Sequence, residues 1–225
     1  LDVAKRDWSD TLLEACDLTR AHMPRLVEGS APSGSLLPEW SARWGIPANT
    51  VIAGGAGDNA ASAIGMGVGV GAAGEGFVSL GTSGVVFVAS DQYTPNPAQA
   101  VHAFCHALPN RWHQMSVMLS AASALSWAKR TLNVSSEGAL LDLAATLPAT
   151  ARAHAPLFLP YLTGERSPHN NANAQATWFG LTATHDTSAL AYAVAEGVGF
   201  GLLDGLQTLA LGHATGLSVV GGGSR

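Results

Sequence analysis

Phe77-Val-Ser-Leu80, Gly81-Thr-Ser-Gly84 and Val85-Val-Phe-Val88 run on from one another without a break. Two runs of β-branched and aromatic residues around a short glycine-containing turn are the sequence signal of a β-hairpin. Such a turn can aim successive backbone N–H groups and the Thr82 hydroxyl at one anion, or it can be a hairpin turn and nothing more. Downstream, Val101–Leu108 and Trp112–Val117 predict a second strand pair, separated by Pro109-Asn-Arg111. Helices are expected over 120–131 and 136–147, and a short strand at Leu157–Leu159 precedes the polar loop Thr163–Gln175. Thr187 or Ser188 can cap a long helix reaching to about Leu209, and Ser218–Val220 reads as a last strand. Upstream, Ser9 or Asp10 can cap a helix through Cys16, Glu28–Ser35 is turn-rich and expected to be exposed, and Pro38 opens a helix that Gly45 closes. Val51–Ala53 reads as a short buried strand, and a small-residue helix is expected from about Asn59 to Gly65. Hairpin strands succeeded by alternating helices and strands predict an α/β layer architecture.

Between that strand and helix lies Gly54-Gly-Ala-Gly-Asp-Asn59, which puts one carboxylate among residues too small to shield it. A buried carboxylate without a cationic partner is costly, and no Lys or Arg lies between Arg43 and Arg111. Asp58 is therefore either a cap on the helix after it, accepting first-turn N–H groups, or a general base that the neighbouring glycines leave open to a substrate hydroxyl. The two roles are compatible.

Composition narrows the partners. The 225 residues are 47% hydrophobic, enough for a sizeable core in one or two domains. A formal charge of -5, with 11 Lys plus Arg and no basic run, argues against nucleic acid or an anionic membrane as partner. No run of 18 apolar residues predicts a membrane span. Cys16 and Cys105, far apart in sequence, make neither a disulfide framework nor a CxxC site and read as free thiols of a cytoplasmic protein. The chain starts at Leu1 and stops at Gly221-Gly-Gly-Ser-Arg225, directly after a predicted strand, so it is expected to be part of a longer protein.

Other motifs carry less. Gly69-Val-Gly-Ala-Ala-Gly74 matches GxGxxG, but that fingerprint has to come after a strand and open a helix, and here a helix precedes it and a strand comes next. There is no GxxxxGK[ST]. Gly221-Gly222-Gly223-Ser224 at a strand end permits close approach of a nucleotide. His102 and His106 would lie ~13 Å apart on a strand, too far to share a metal ion, and read as surface histidines; no metal site is expected. The six tryptophans lack basic interleaving and read as packing groups.

Taken in order, Leu1-Asp-Val-Ala-Lys-Arg-Asp-Trp-Ser9, Ala53–Ala60, Ser79–Gly84, Leu159-Pro-Tyr-Leu-Thr-Gly-Glu-Arg-Ser-Pro168, Ala195-Glu-Gly-Val198 and Gly221–Ser224 resemble the FGGY carbohydrate kinases across nearly the whole chain. The resemblance implies a ribonuclease H-like fold of the actin/hexokinase/Hsp70 ATPase type, here an incomplete two-domain kinase. Residues 1–72 would be the C-terminal part of the first, sugar-binding domain and 73–225 the N-terminal part of the second, nucleotide-binding one. It implies ATP and Mg2+ as co-substrate and metal, and a pentulose, D-xylulose first, as the acceptor phosphorylated on its terminal hydroxyl. Asp58 would be the catalytic base and, with Asn59, a sugar ligand. Gly81, Thr82, Ser83 and Gly84 would hold the terminal phosphates, Gly221, Gly222, Gly223 and Ser224 would lie against the adenosine end, and Gly164 would wall the same cleft. The family's DxGT-type phosphate turn has no counterpart in these residues. Alternatives left open are another acceptor of the family (gluconate, ribulose, fuculose or glycerol), a binding fragment without turnover, and a homodimer.

Overall fold

The computed structural model describes residues 1–71, 74–210 and 216–224. Helix α1 (Asp10–Glu14) is capped by the Ser9 hydroxyl, which accepts from the Leu12 N–H, and ends two residues short of Cys16. Strand β1 (Pro32–Ser35) pairs antiparallel with β2 (Val51–Ala53), and α2 (Pro38–Trp44) lies between them in sequence. Proline in the first turn and left-handed Gly45 (φ 65°) at the end bound α2 as expected. Two expectations fail here. The 28–35 segment, read as turns, contains β1, and β2 is a strand but not a buried one, with Val51 62% exposed. Among the described residues no core cluster includes β1 or β2, so the β-branched residues of this ribbon form a strand without being enclosed.

Helix α3 (Asp58–Gly65) leads to β3 (Glu75–Leu80) and β4 (Gly84–Ser90), the predicted hairpin, paired from Gly76↔Val88 to Leu80↔Gly84. Strands β5 (His102–Cys105) and β6 (Trp112–Met118) extend the sheet beside β4. After α4 (Ala122–Thr131), α5 (Glu137–Ala145) and the short α6 (Ala149–Arg152), strand β7 (Leu157–Leu159) pairs with β8 (Thr177–Phe179). Helix α7 (Thr187–Gln207) is capped by the Asp186 carboxylate, which accepts from Ala189 N–H at 3.0 Å, rather than by Thr187 or Ser188. Strand β9 (Gly216–Val220) then joins β3 in parallel, giving the sheet order β5-β6-β4-β3-β9.

Alternation along the strands divides this sheet into two buried faces. Phe77, Phe87, Ala89 and Met115 pack with Ala63 of α3 on one face. Val86, Val88 and Met118 pack on the other, against Leu202 and Leu206 of α7. A third cluster, with Leu140, Phe158, Ala191 and Val194 at its centre, joins α4, α5, α7 and β7. By length and composition α7 is apolar enough to cross a membrane, with a mean hydropathy of 1.3 over 18 residues. Ala191, Ala193, Val194, Leu202 and Leu206 pack into these two clusters, while Phe200 and Leu203 stay exposed. Glycines bring the helix close: a Cβ on Gly197 would collide with the Phe158 carbonyl, and one on Gly205 would lie 2.7 Å from the Ser116 hydroxyl.

The first face also buries His113, whose ring stacks on Phe87 with centroids 4.5 Å apart and meets His106 edge-on at 5.9 Å. His106 is 4% exposed, contrary to its reading as a surface residue. An edge-strand position is no guide to exposure once another segment covers the face. Burial, reinforced by the neighbouring His106, holds the His113 pKa down at about 4.

Unfolding measurements test both the helix approach and the buried imidazole. Gly197→Ala is expected to lower unfolding free energy by about 1–3 kcal/mol through overpacking, whereas Gly199→Ala, with open space around it, should raise it by up to about 1 kcal/mol; urea unfolding of both checks this. Because His113 binds a proton less readily folded than unfolded, stability present at pH 7 is lost as pH falls from the ordinary histidine value of 6.5 towards about 4. His113→Gln should flatten the dependence of the urea midpoint on pH in that window.

Candidate active site

Asp58 owes its position to three backbone segments that glycine lets stack. A Cβ on Gly54 would sit 2.5 Å from the Glu28 carbonyl oxygen, and one on Gly29 would sit 2.6 Å from that of Ala107. Gly54 N–H donates to Ala31 O at 3.0 Å and Gly55 N–H to Gly29 O at 2.9 Å. The chain leaves this stack at Gly57, the cap of α3, so Asp58 is the first helical residue and not the cap. Its carboxylate is exposed, and Oδ1 accepts from the Asn59 backbone N–H at 2.8 Å and Asn59 Nδ2 at 3.3 Å. Oδ2 has no hydrogen-bond partner among the described residues. A negative side chain in the first turn also suits the helix dipole, so the helix-end and open-acid readings coexist.

Asp58 and Asn59 border a cavity of about 550 Å3 between residues 1–60 and the first face of the sheet. Arg6, Glu28 and His113, none of them singled out from the sequence, also line it, as does His106, which the sequence offered only as a metal ligand set aside. Arg6 is the cation that local sequence did not supply, yet it is already engaged. Its guanidinium binds both Glu28 oxygens at 2.6 and 3.2 Å, donates to the Arg111 carbonyl at 2.8 Å, and lies 5.3 Å from the Trp112 ring centroid. Asp58 makes no ion pair among the described residues. His106 accepts the Leu108 N–H at Nδ1, 3.2 Å, which places the proton of the neutral ring on Nε2. Burial lowers its pKa, favouring that neutral form.

The two glycine turns meet elsewhere. Since β3 runs antiparallel to β4 and parallel to β9, Gly81–Gly84 and Gly221–Ser224 emerge at one end of the sheet. A Cβ on Gly221 (φ 94°) would come within 2.6 Å of the Leu80 carbonyl oxygen, and one on Gly223 within 3.1 Å. The Gly81 carbonyl accepts from Ala122 N–H at 2.9 Å, and the Thr82 carbonyl from Ala121 N–H at 3.0 Å and the Ser123 hydroxyl at 2.7 Å. The start of α4 is thus used up by the turn's carbonyls. The N–H groups of Thr82 and Ser83 have no partner among the described residues, which leaves two adjacent backbone donors available to an anion.

Neither turn lines the Asp58 cavity. On the sheet it borders Phe104 and Cys105 of β5 and His113 and Met115 of β6, and Met115 lies three residues, about 10 Å along β6 by the usual rise per residue, from Met118, the partner of Gly84. Gly164 lines neither feature. It takes φ 79° and a Cβ there would press on Ala172 at 2.7 Å, so it shapes the polar loop. The adjacent Glu165 is 3% exposed, and burial raises its pKa against the lowering effect of two N–H donors, those of Leu119 and Arg166. Ala72 and Ala73 of the GxGxxG match lie outside the described residues; helix α3 precedes that match and strand β3 succeeds it, the wrong order for a dinucleotide site. Among the described residues no group of His, Cys, Asp and Glu could hold a metal ion by itself, and both cysteines are free thiols.

Comparison with known proteins agrees with the order of these features. Residues 1–65 match the N-terminal domain, and residues 76–225 the C-terminal domain, of the FGGY family of carbohydrate kinases. A xylulose kinase of Escherichia coli (strain K12) is 52% identical over 230 residues, covering 100% of this chain and 46% of that protein. One of Klebsiella pneumoniae is 50% identical over 99% of this chain and 46% of its own length. The crystal structure of a "xyloylose kinase" from Brucella ovis superposes with a TM-score of 0.91 at 49% identity, over 100% of this chain and 46% of that one. The chain therefore spans about half the length of these relatives. It belongs to the FGGY family of carbohydrate kinases, with the ribonuclease H-like fold of the actin/hexokinase ATPases.

Proposed function

We propose that the protein containing this chain is an ATP-dependent pentulose kinase of the cytoplasm that converts D-xylulose to D-xylulose 5-phosphate. Residues 1–72 close its sugar-binding domain and 73–225 open its nucleotide-binding domain. The observation that carries this reading is the free Oδ2 of Asp58 at the rim of an open cavity, with the nearby Arg6 guanidinium committed to Glu28 and Arg111. The names and identities of the E. coli and K. pneumoniae relatives support the acceptor.

In this reading the sugar lies in the cavity, held by Asp58 and Asn59. Asp58 takes the proton of the terminal hydroxyl as that oxygen bonds to the γ-phosphorus of ATP, and the bond from that phosphorus to the β,γ-bridging oxygen breaks to release ADP. Phosphoryl transfer asks a protein mainly for position and charge compensation. The free N–H groups of Thr82 and Ser83 suit the phosphate oxygens, and Gly221–Ser224 leaves backbone-close space for the nucleoside. Magnesium, when bound, neutralises phosphate charge; it would arrive on the nucleotide, since Mg2+ is held largely by phosphates, waters and one or two carboxylates. The separation between cavity and turn makes closure of the two domains part of the reaction, and closure excludes water as a competing acceptor. The 225-residue chain alone is accordingly read as a binder without turnover.

Asp58→Asn in the complete protein is expected to reduce kcat for D-xylulose phosphorylation by at least about a thousandfold with the Kd for ATP unchanged; normal turnover would remove Asp58 from the mechanism. Thr82→Glu, an exposed change that sets a negative charge among the turn's donors, should raise KM for ATP by at least about tenfold and leave thermal stability unaltered. A coupled assay across xylulose, ribulose, gluconate, fuculose and glycerol reads the acceptor directly.

A further inference from the structure

The Glu165 carboxylate is buried with half of its capacity unused. Oε1 accepts from Leu119 N–H at 2.8 Å and from Arg166 N–H at 2.7 Å, while Oε2 has no partner among the described residues. Burying an acid in this way is unfavourable compared with an apolar or amide side chain, so its place in the fold asks for a reason. The loop around it is fastened to the end of β6 by two more bonds, Ser167 N–H to Val117 O and Val117 N–H to Ser167 Oγ, both 3.1 Å. The Ser167 hydroxyl in turn donates to Ala100 O at 2.9 Å. Leu119 is the first residue after β6, and two residues later Ala121 begins the set of donors that holds the carbonyls of Thr82 and Gly81. Two residues reach at most about 7 Å, so the segment has little slack between its two anchors.

We propose that Glu165 is a positioning residue for the phosphate turn: by holding Leu119 it fixes the segment Leu119–Ser123, which ties the turn's carbonyls inward and leaves the N–H groups of Thr82 and Ser83 facing out. The inference rests on reading Gly81–Gly84 as the phosphate cradle. It gives the polar loop a task that Gly164 alone does not explain, namely linking β6 to the cradle through Glu165. Glutamine keeps an accepting oxygen for both N–H groups, whereas alanine leaves them without one.

In the complete protein, Glu165→Ala is expected to raise KM for Mg-ATP about tenfold with the sugar KM within about twofold, and Glu165→Gln to return the ATP KM to within about threefold of the parent. Loss of thermal stability with an unchanged ATP KM, or an equal rise in both KM values, would make Glu165 an ordinary loop anchor and overturn the proposal. Should Glu165→Ala fail to fold, Glu165→Met keeps the side-chain volume while removing both acceptor oxygens, and an ATP KM equal to the parent's in that variant overturns the proposal in the same way. Thr82→Glu separates the two levels: if it weakens ATP while Glu165→Ala does not, only the positioning role falls, and if neither does, the phosphate reading falls with it.

Discussion

Everything at the end of the sheet where the two glycine turns meet depends on the backbone of Leu80. It closes the β3–β4 ladder opposite Gly84, and it is approached by Gly221 and Gly223 so closely that a side chain at either would press on it. One strand paired antiparallel on one side and parallel on the other delivers two turns from distant parts of the chain to the same sheet end. The start of α4 then satisfies the carbonyls of the first turn, which leaves that turn's own N–H groups over. A turn built this way offers only backbone donors, and their arrangement depends on how firmly the carbonyl side is held.

The acid end obeys a different logic. Stacked glycine segments set Asp58 in the first turn of α3, and the Arg6 guanidinium at the cavity is engaged by Glu28, the Arg111 carbonyl and the Trp112 ring. The Asp58 carboxylate is thereby left without a cationic partner among the described residues. The same Arg6 contacts tie the first thirty residues to the β5–β6 hairpin, so the cavity wall and the isolation of the acid are one arrangement. Buried, neutral His106 and His113 form the floor without adding positive charge near Asp58.

Much of this was legible. The runs around Gly81–Gly84 gave the hairpin, Pro38 and Gly45 bounded α2, and Asp58 stood out because no cation lies near it in sequence. The family emerged from six short motifs in order. Exposure was less legible: Val51 and Ile52 look like core residues and are exposed, and His106 looks like a surface residue and is buried. Both misreadings have one cause, since burial belongs to whatever covers a strand and local sequence does not name the cover. The cap of α7 falls on Asp186, one or two residues before the position that local pattern suggests, because its carboxylate accepts from both the Ala189 N–H and the Ser188 hydroxyl.

The amino-acid sequence by itself determined the β3–β4 hairpin, the long helices, the ends of α2 and the absence of any cation near Asp58 in sequence, because these depend on steric preference, periodicity and charge within a few residues; β1, β8 and α6 escaped it. Only the tertiary structure decided that Arg6 and Glu28 border that acid, that the two glycine turns share Leu80, and that Glu165 is sealed beside Leu119. Those facts arise from pairings between residues far apart in the chain, where strand direction and close backbone approach, and no local preference, choose the neighbours.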